Sequence, residues 1–273
     1  MKPIEKARVL VTGGSKGIGQ AIAEKFAEHG HDLVLVARSE DRLEDTARRI
    51  RERTGVDVLT ISMDLTGDGA AEKLFAHIEQ AGLHIDILVN NAGVGMTGAF
   101  AQGDQQRMTQ MLRLNMLVLS ELTRRFLPPM LARGKGRILN VGSVVAYFSG
   151  APNWSAYVAS KHYVLAFTRG LSRELRNTGV AATVVSPGTT ATDFVETADA
   201  TRMRAYQASG GVSVEAVART AYQACQKGKT AVVPGLFNKV LAFLGELPPR
   251  AIAFEVFAFL SQKPTPTDPQ QMQ

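Results

Sequence analysis

The chain has 273 residues, 45% hydrophobic and 21% charged, enough to bury a full core without metal or disulfide support. Its single cysteine, Cys225, excludes an intramolecular disulfide, argues against a thiolate metal cluster and fits a reducing cytoplasmic setting. The net charge of +6 does not point to nucleic acid: the six arginines from Arg38 to Arg53 are interleaved with acids such as Glu40, Asp41, Glu44, Asp45 and Glu52, and no basic run carries aromatics.

Met1 to Lys6 carries three charges and the run after it, Val9-Leu10-Val11, is too short for a signal peptide, so the fold is expected to begin at the N-terminus. Apolar runs follow at Val9–Val11, Leu33–Val36, Val58–Ile61, Ile85–Val89, Arg137–Val141, Val180–Val185 and Thr230–Val233. Most are continuous rather than alternating, the pattern of strands buried on both faces with helices as crossovers. The expected fold is therefore α/β: a single-domain, Rossmann-like, doubly wound sheet of about seven parallel strands with helices on both faces, over residues 1–262.

Between the strands, Ile18, Ala21, Ile22 and Phe26 mark a helix from Gly17 to His29, ended by Gly30. Longer helices are expected at about Asp104–Ala132, bent near Pro128-Pro129, and at Ser155–Thr178, followed by Gly179. Toward the C-terminus, Ala251–Leu260 is apolar but interrupted by Glu255 and preceded by Pro248-Pro249. It falls short of the roughly 20 residues a bilayer span needs, so no integral membrane span is expected. Residues 263–273, with Pro264, Pro266 and Pro269 among polar residues, are expected to be a disordered tail.

After the first strand stands Thr12-Gly13-Gly14-Ser15-Lys16-Gly17-Ile18-Gly19. Glycines there let the backbone turn tightly and approach a pyrophosphate, and the following helix N-terminus offers free amides. The spacing is GxxxGxG rather than the commoner GxGxxG, and an ordinary glycine-rich turn is the competing reading. At the end of the second strand, where an acid would take the ribose 2′-OH of NAD, stand Ala37 and Arg38. Arg38 and Lys16 can hold a 2′-phosphate, so the cofactor expected is NADP(H); as surface charges they would mean nothing of the kind. Asp64 and Leu65 follow the third strand, with Asp64 suited equally to an adenine amino group or to capping a helix. Asn90-Asn91-Ala92-Gly93 follows the fourth, either a plain turn or a backbone contact to the cofactor.

Tyr157 and Lys161 lie i,i+4 on a predicted helix, so phenol and ammonium share a face. A nearby cation lowers a phenol's pKa and suits it to proton transfer with a carbonyl. Ser143, 14 residues earlier and just after the fifth strand, can sit opposite the phenol and bond a substrate carbonyl. Asn115 is a polar residue in an apolar helical run, where a buried amide needs partners.

Taken in chain order, these motifs make the sequence over about Ala7–Gly235 resemble the classical short-chain dehydrogenase/reductase family. Pro187-Gly188 leading to Thr192 adds to the match. The resemblance implies that Tyr157 moves the substrate proton, that Lys161 lowers its pKa and binds the nicotinamide ribose, that Ser143 orients the carbonyl, and that Asn115 holds a water linking Lys161 to solvent. It implies nicotinamide contacts for the backbone around Pro187 to Thr192, NADP(H) preference from Lys16 and Arg38, and a homodimer or homotetramer built from the helices of Asn115 and Tyr157.

The function expected is a cytoplasmic NADP(H)-dependent oxidoreductase interconverting a small-molecule carbonyl and its alcohol; the alternative is a non-catalytic NADP(H)-sensing module. Residues 189–211, with Phe194, Met203 and Tyr206, are expected as a substrate lid, and 236–262 as an apolar C-terminal extension. Their content points to an apolar or medium-sized substrate, or equally to packing on the core or a second subunit. The five histidines are scattered and form no ligand pair, so no metal is expected.

Overall fold

The computed structural model describes residues 2–190 and 211–247. Seven strands, β1 (Arg8–Thr12), β2 (Asp32–Ala37), β3 (Val58–Ser62), β4 (Ile87–Asn90), β5 (Gly136–Val141), β6 (Val180–Val185) and β7 (Ala231–Val232), form one sheet in the order β3-β2-β1-β4-β5-β6-β7. Every pairing is parallel, so all the strands end on one edge. The order reverses between β1 and β4, which opens a crevice at their carboxyl ends.

Side chains alternate across the pleat, so one apolar run serves two cores. Val9 and Val11 pack with Ile22 and Phe26 of helix α1 (Gly17–Ala27), with α2 (Glu40–Thr54), and with Val217 of α7 (Val214–Gln226). Leu10 faces the other way, onto Leu74 of α3 (Ala70–Gln80) and Leu122 and Phe126 of α5 (Leu119–Ala132). Among the described residues the remaining α-helices are α4 (Gln105–Leu112), α6 (Ser155–Glu174) and α8 (Leu236–Glu246).

The long helix expected from Asp104 runs from Gln105 to Ala132, but not as a uniform α-helix. It carries through Pro128 and Pro129, and its departure from α geometry comes earlier, as a π-helical turn over Arg113–Val118. Asn115 sits inside that turn, the kind of local widening that often marks functional positions. The fourth strand begins two residues later than expected, at Ile87, and Asp86 before it accepts the Arg8 amide on its carboxylate (3.0 Å). Arginines of α2 pair with acids, Arg49 with Asp45 (2.9 Å) and Arg53 with Glu24 (3.5 Å), so much of the basic excess is neutralised surface. The expected lid residues Phe194, Met203 and Tyr206, the rest of the extension beyond Leu247 and the tail lie outside the described residues.

Candidate active site

The crevice begins with Thr12. Its hydroxyl donates to the Val89 carbonyl (3.2 Å) and accepts from the amides of Asn91 and Ala92 (3.0 Å each). In return the Asn91 side-chain amide donates to the carbonyls of Thr12 (2.9 Å) and Gly13 (3.2 Å). Gly13 is left-handed (φ +67°), and a β-carbon on Gly19 would lie 2.2 Å from the Gly13 carbonyl oxygen. Glycine is therefore required at both positions for the turn to close on the loop after β4. The Ser15 carbonyl accepts the Thr46 hydroxyl (3.5 Å), Gly17 opens α1, and Ile18 packs toward the core. Lys16, at the helix cap, offers no side-chain acceptor to the first turn, whose amides face the crevice end of the sheet.

Around the rim, Lys16 and Arg38 are exposed, Arg38 directly after β2. Asp64 accepts from the Thr66 amide (2.9 Å) and hydroxyl (2.8 Å). The amide bond first, then the hydroxyl bond and the Arg38 charge, hold its carboxyl below the usual range, which puts Arg38 and Asp64 on one stretch of rim. Asp64 thus stabilises its own turn rather than capping α3, which starts at Ala70. Leu65 beside it is buried.

Farther along the edge, Lys161 of α6 donates to the Val141 carbonyl at the end of β5 (3.1 Å). A β-carbon on Gly93 would meet Asn115 Oδ1 at 3.0 Å and Lys161 Nζ at 3.7 Å, so the loop after β4 touches both. Asn115 Oδ1 accepts the Val94 amide (3.1 Å), and its Nδ2 donates to the Val94 carbonyl (3.0 Å) and the Ser160 hydroxyl (3.1 Å). These bonds splice the π turn to the loop and to α6. Ser143 caps a 3-10 turn (Val144–Tyr147), accepting the Val145 amide (3.4 Å), and stands beside Tyr157. Pro187 accepts the Val144 amide (2.8 Å), which brings Pro187 and Gly188 alongside. Thr192 lies outside the described residues.

Tyr157 is buried with Lys161 Nζ 5.9 Å from its ring centre and Trp154 set edge-on at 5.6 Å. Met111, Phe148 and Ala151 complete its apolar wall, and Leu241 of α8 packs against it. In these surroundings burial pushes the Tyr157 phenol up, against the opposing influence of Ser143. That corrects the expectation of a phenol lowered by its lysine. Burial also depresses Lys161, down to about 8, so the cation meant to lower the phenol is itself disfavoured.

The arrangement fits a nicotinamide dinucleotide in chemistry: an uncapped helix start beside close-packed glycines, exposed Lys16 and Arg38 at the rim, and a buried Tyr-Lys pair farther along the same edge. Three contributors were not singled out from sequence: the Thr12 hydroxyl, Ser160, and Asn238 of α8, against which a β-carbon on Gly188 would collide at 2.2 Å. Thr12 opens the glycine turn and Ser160 lies between Tyr157 and Lys161, so their positions were visible though their bonds were not. Among the described residues no cluster of His, Cys, Asp and Glu could hold a metal, and no helix is long and apolar enough to cross a membrane.

Comparison with known proteins agrees with this geometry. The short-chain dehydrogenase family profile matches residues 7–203. An uncharacterized oxidoreductase of Staphylococcus saprophyticus is 35% identical over 188 residues, 69% of this chain and 80% of that protein. Ketoacyl reductase HetN of Nostoc sp. is 31% identical over 250 residues, 89% of this chain and 86% of HetN. Among solved structures, a short-chain dehydrogenase from Sphingobium yanoikuyae in complex with NADPH superposes with a TM-score of 0.76 at 33% identity, covering 84% of this chain and 88% of the other.

Proposed function

This chain belongs to the short-chain dehydrogenase family of oxidoreductases, and on that premise we propose that it is an NADP(H)-dependent enzyme interconverting a ketone or aldehyde and an alcohol, with Tyr157 as general acid and base. The observation that carries the reading is a buried Tyr157 with Ser143 beside it and Lys161 Nζ 5.9 Å from its ring centre. The bound nicotinamide supplies the hydride in reduction and accepts it in oxidation. A phenol raised by burial stays protonated near neutrality, which suits Tyr157 to give its proton to the carbonyl oxygen in reduction; in oxidation it is the phenolate form that takes the proton from the alcohol. Ser143, beside it, donates to the same oxygen and fixes its place. Lys161, anchored on Val141, supplies positive charge to the ribose side of the site.

Lys16 and Arg38 hold the 2′-phosphate, which selects NADP(H), and Asp64 and Leu65 flank the adenine. Gly13, Ser15, Gly17, Ile18 and Gly19 receive the pyrophosphate, and Asn91 to Gly93, Pro187 and Gly188 line the nicotinamide end. Support for the phosphate assignment is the pair of exposed cations with no acid at the end of β2. The substrate is apolar or medium-sized, which the Phe148, Trp154 and Met111 wall beside Tyr157 supports. Leu117 and Tyr163 stand exposed on the helical faces through which a homodimer or homotetramer forms; sedimentation as a monomer alone would reject it. The test of the mechanism is a carbonyl panel assayed with NADPH and NADH. Tyr157→Phe is expected to abolish turnover while NADPH still binds; undiminished turnover would remove Tyr157 from the chemistry.

A further inference from the structure

Helix α8 leaves its apolar side outward. Leu236, Val240, Phe243, Leu244 and Leu247 recur at i, i+4, i+7, i+8 and i+11, a single stripe, with Leu236 78% and Phe243 64% exposed. With Phe237 they are six of the eleven large exposed apolar side chains among the described residues, so more than half of these side chains lie on, or just at the end of, one short helix. The inward side carries Leu241 and Ala242, packed on the core, with small or polar residues beside them. Asn238 abuts Gly188 and a β-carbon on Gly245 would lie 2.5 Å from the Tyr147 carbonyl oxygen, while Glu246, exposed on the same flank as Lys239, is paired with Arg169 (2.7 Å). The stripe is thus held firmly and aimed outward by an attachment that uses none of its own side chains.

Charge borders the stripe. Lys239 follows Leu236 by three positions and precedes Phe243 by four, so it flanks the apolar row. On that flank α7, β7 and α8 enclose an open cavity of about 470 Å³ lined by Lys227, Lys229 and Lys239, with no acid in its lining. An apolar row beside clustered lysines is complementary to an anionic lipid surface: acyl chains receive the row, and phosphate headgroups meet the ammonium groups. A second copy fits less well, because a two-fold contact through this face would bring the two lysine clusters together.

We infer that α8 and the adjoining Lys227, Lys229 and Lys239 form a peripheral docking surface for anionic membranes. The protein rests on the bilayer through this face without spanning it. The inference stands apart from the carbonyl chemistry, since none of these residues belongs to the catalytic group.

Co-sedimentation of the full chain with vesicles of phosphatidylcholine alone, or with added phosphatidylglycerol, tests it. Binding is expected only to the anionic vesicles and is expected to weaken as salt is raised. Replacing the three lysines with glutamine should weaken partitioning roughly a hundredfold, at about fivefold for each lysine near the surface. Phe243→Glu should abolish it with an unchanged circular dichroism spectrum. Equal binding to both vesicle types, or to neither, overturns the inference. If neither binds, a Phe243→Glu variant that sediments as a smaller species assigns the stripe to a second copy. A variant that instead unfolds at a much lower temperature, with unchanged sedimentation, assigns it to the chain's own residues 248–273.

Discussion

Asn115 and Ser160 are joined by a hydrogen bond of 3.1 Å from the π turn to α6, and the Ser160 hydroxyl passes on to the Tyr157 carbonyl at 2.7 Å. The helix that carries Tyr157 is therefore fixed to the helix beside it through one buried hydroxyl. Ser160→Ala leaves the Asn115 amide short of an acceptor in a buried site, at a cost of about 1–3 kcal/mol. We expect a lower unfolding temperature and a fall in kcat of about tenfold with KM for the nucleotide little changed, as positioning rather than chemistry is lost. Ser160→Thr, which keeps the hydroxyl, should restore much of kcat. Wild-type kcat in Ser160→Ala would show that Tyr157 is positioned without this link.

Lys161 sets a pH signature for stability. Its folded pKa of about 8 lies below the ordinary 10.5 because burial disfavours the cation. Between those values the unfolded chain binds more protons than the folded one, so stability rises with pH across that window and the cost of the buried charge is fully present below it. Tyr157 acts oppositely but later: with its phenol raised, stability falls above about pH 10, where the unfolded phenol ionises. Chemical denaturation from pH 7 to 10 should show a rising contribution in the wild type that Lys161→Met lacks. Parallel profiles would mean that Lys161 is not electrostatically penalised.

The cofactor assignment rests on charge at the end of β2. Arg38→Asp replaces an attraction for the 2′-phosphate with a repulsion, and charge-assisted bonds of this kind contribute about 1.5–3 kcal/mol. Steady-state kinetics should show kcat/KM for NADPH reduced about a hundredfold and preference moved toward NADH. An unaltered ratio would take Arg38 out of the selection.

Gly19→Ala places a methyl group 2.2 Å from the Gly13 carbonyl and 2.3 Å from the Asn91 amide nitrogen. The turn has to shift away from the loop after β4, at a cost of about 1–3 kcal/mol. Fluorescence titration should find NADPH affinity strongly reduced, with a lowered unfolding temperature. Affinity equal to wild type would show that the turn tolerates the displacement.

The seven strands were legible because burial on both faces leaves a run such as Leu33–Val36 without polar interruption. Tyr157, Lys161 and Ser143 were legible because their spacing on a helix and after a strand brings them together before any contact is known. Other features depend on the folded surroundings. The π turn at Asn115 arises where that side chain reaches Val94 and Ser160, contacts distant in sequence. The direction of the Tyr157 shift was read wrongly from sequence because charge proximity is written in the i,i+4 spacing, whereas the apolar wall of Met111, Phe148 and Trp154 is assembled from three segments. Asp64 divided two readings evenly, and its bonds to Thr66 show a third use, in its own turn.

The Thr12 hydroxyl, holding Asn91 and Ala92 while Asn91 holds Thr12 and Gly13, makes the turn after β1 and the loop after β4 a single interlocked piece. For protein engineering this sets the size of the exchangeable part. A glycine turn transplanted from a relative with different cofactor preference arrives with a surface cut to its original partner loop. Swapping residues 12–19 alone would produce a misfit, while moving 12–19 together with 90–93 transfers a matched set, whose far side already meets Asn115 and Lys161 through Gly93.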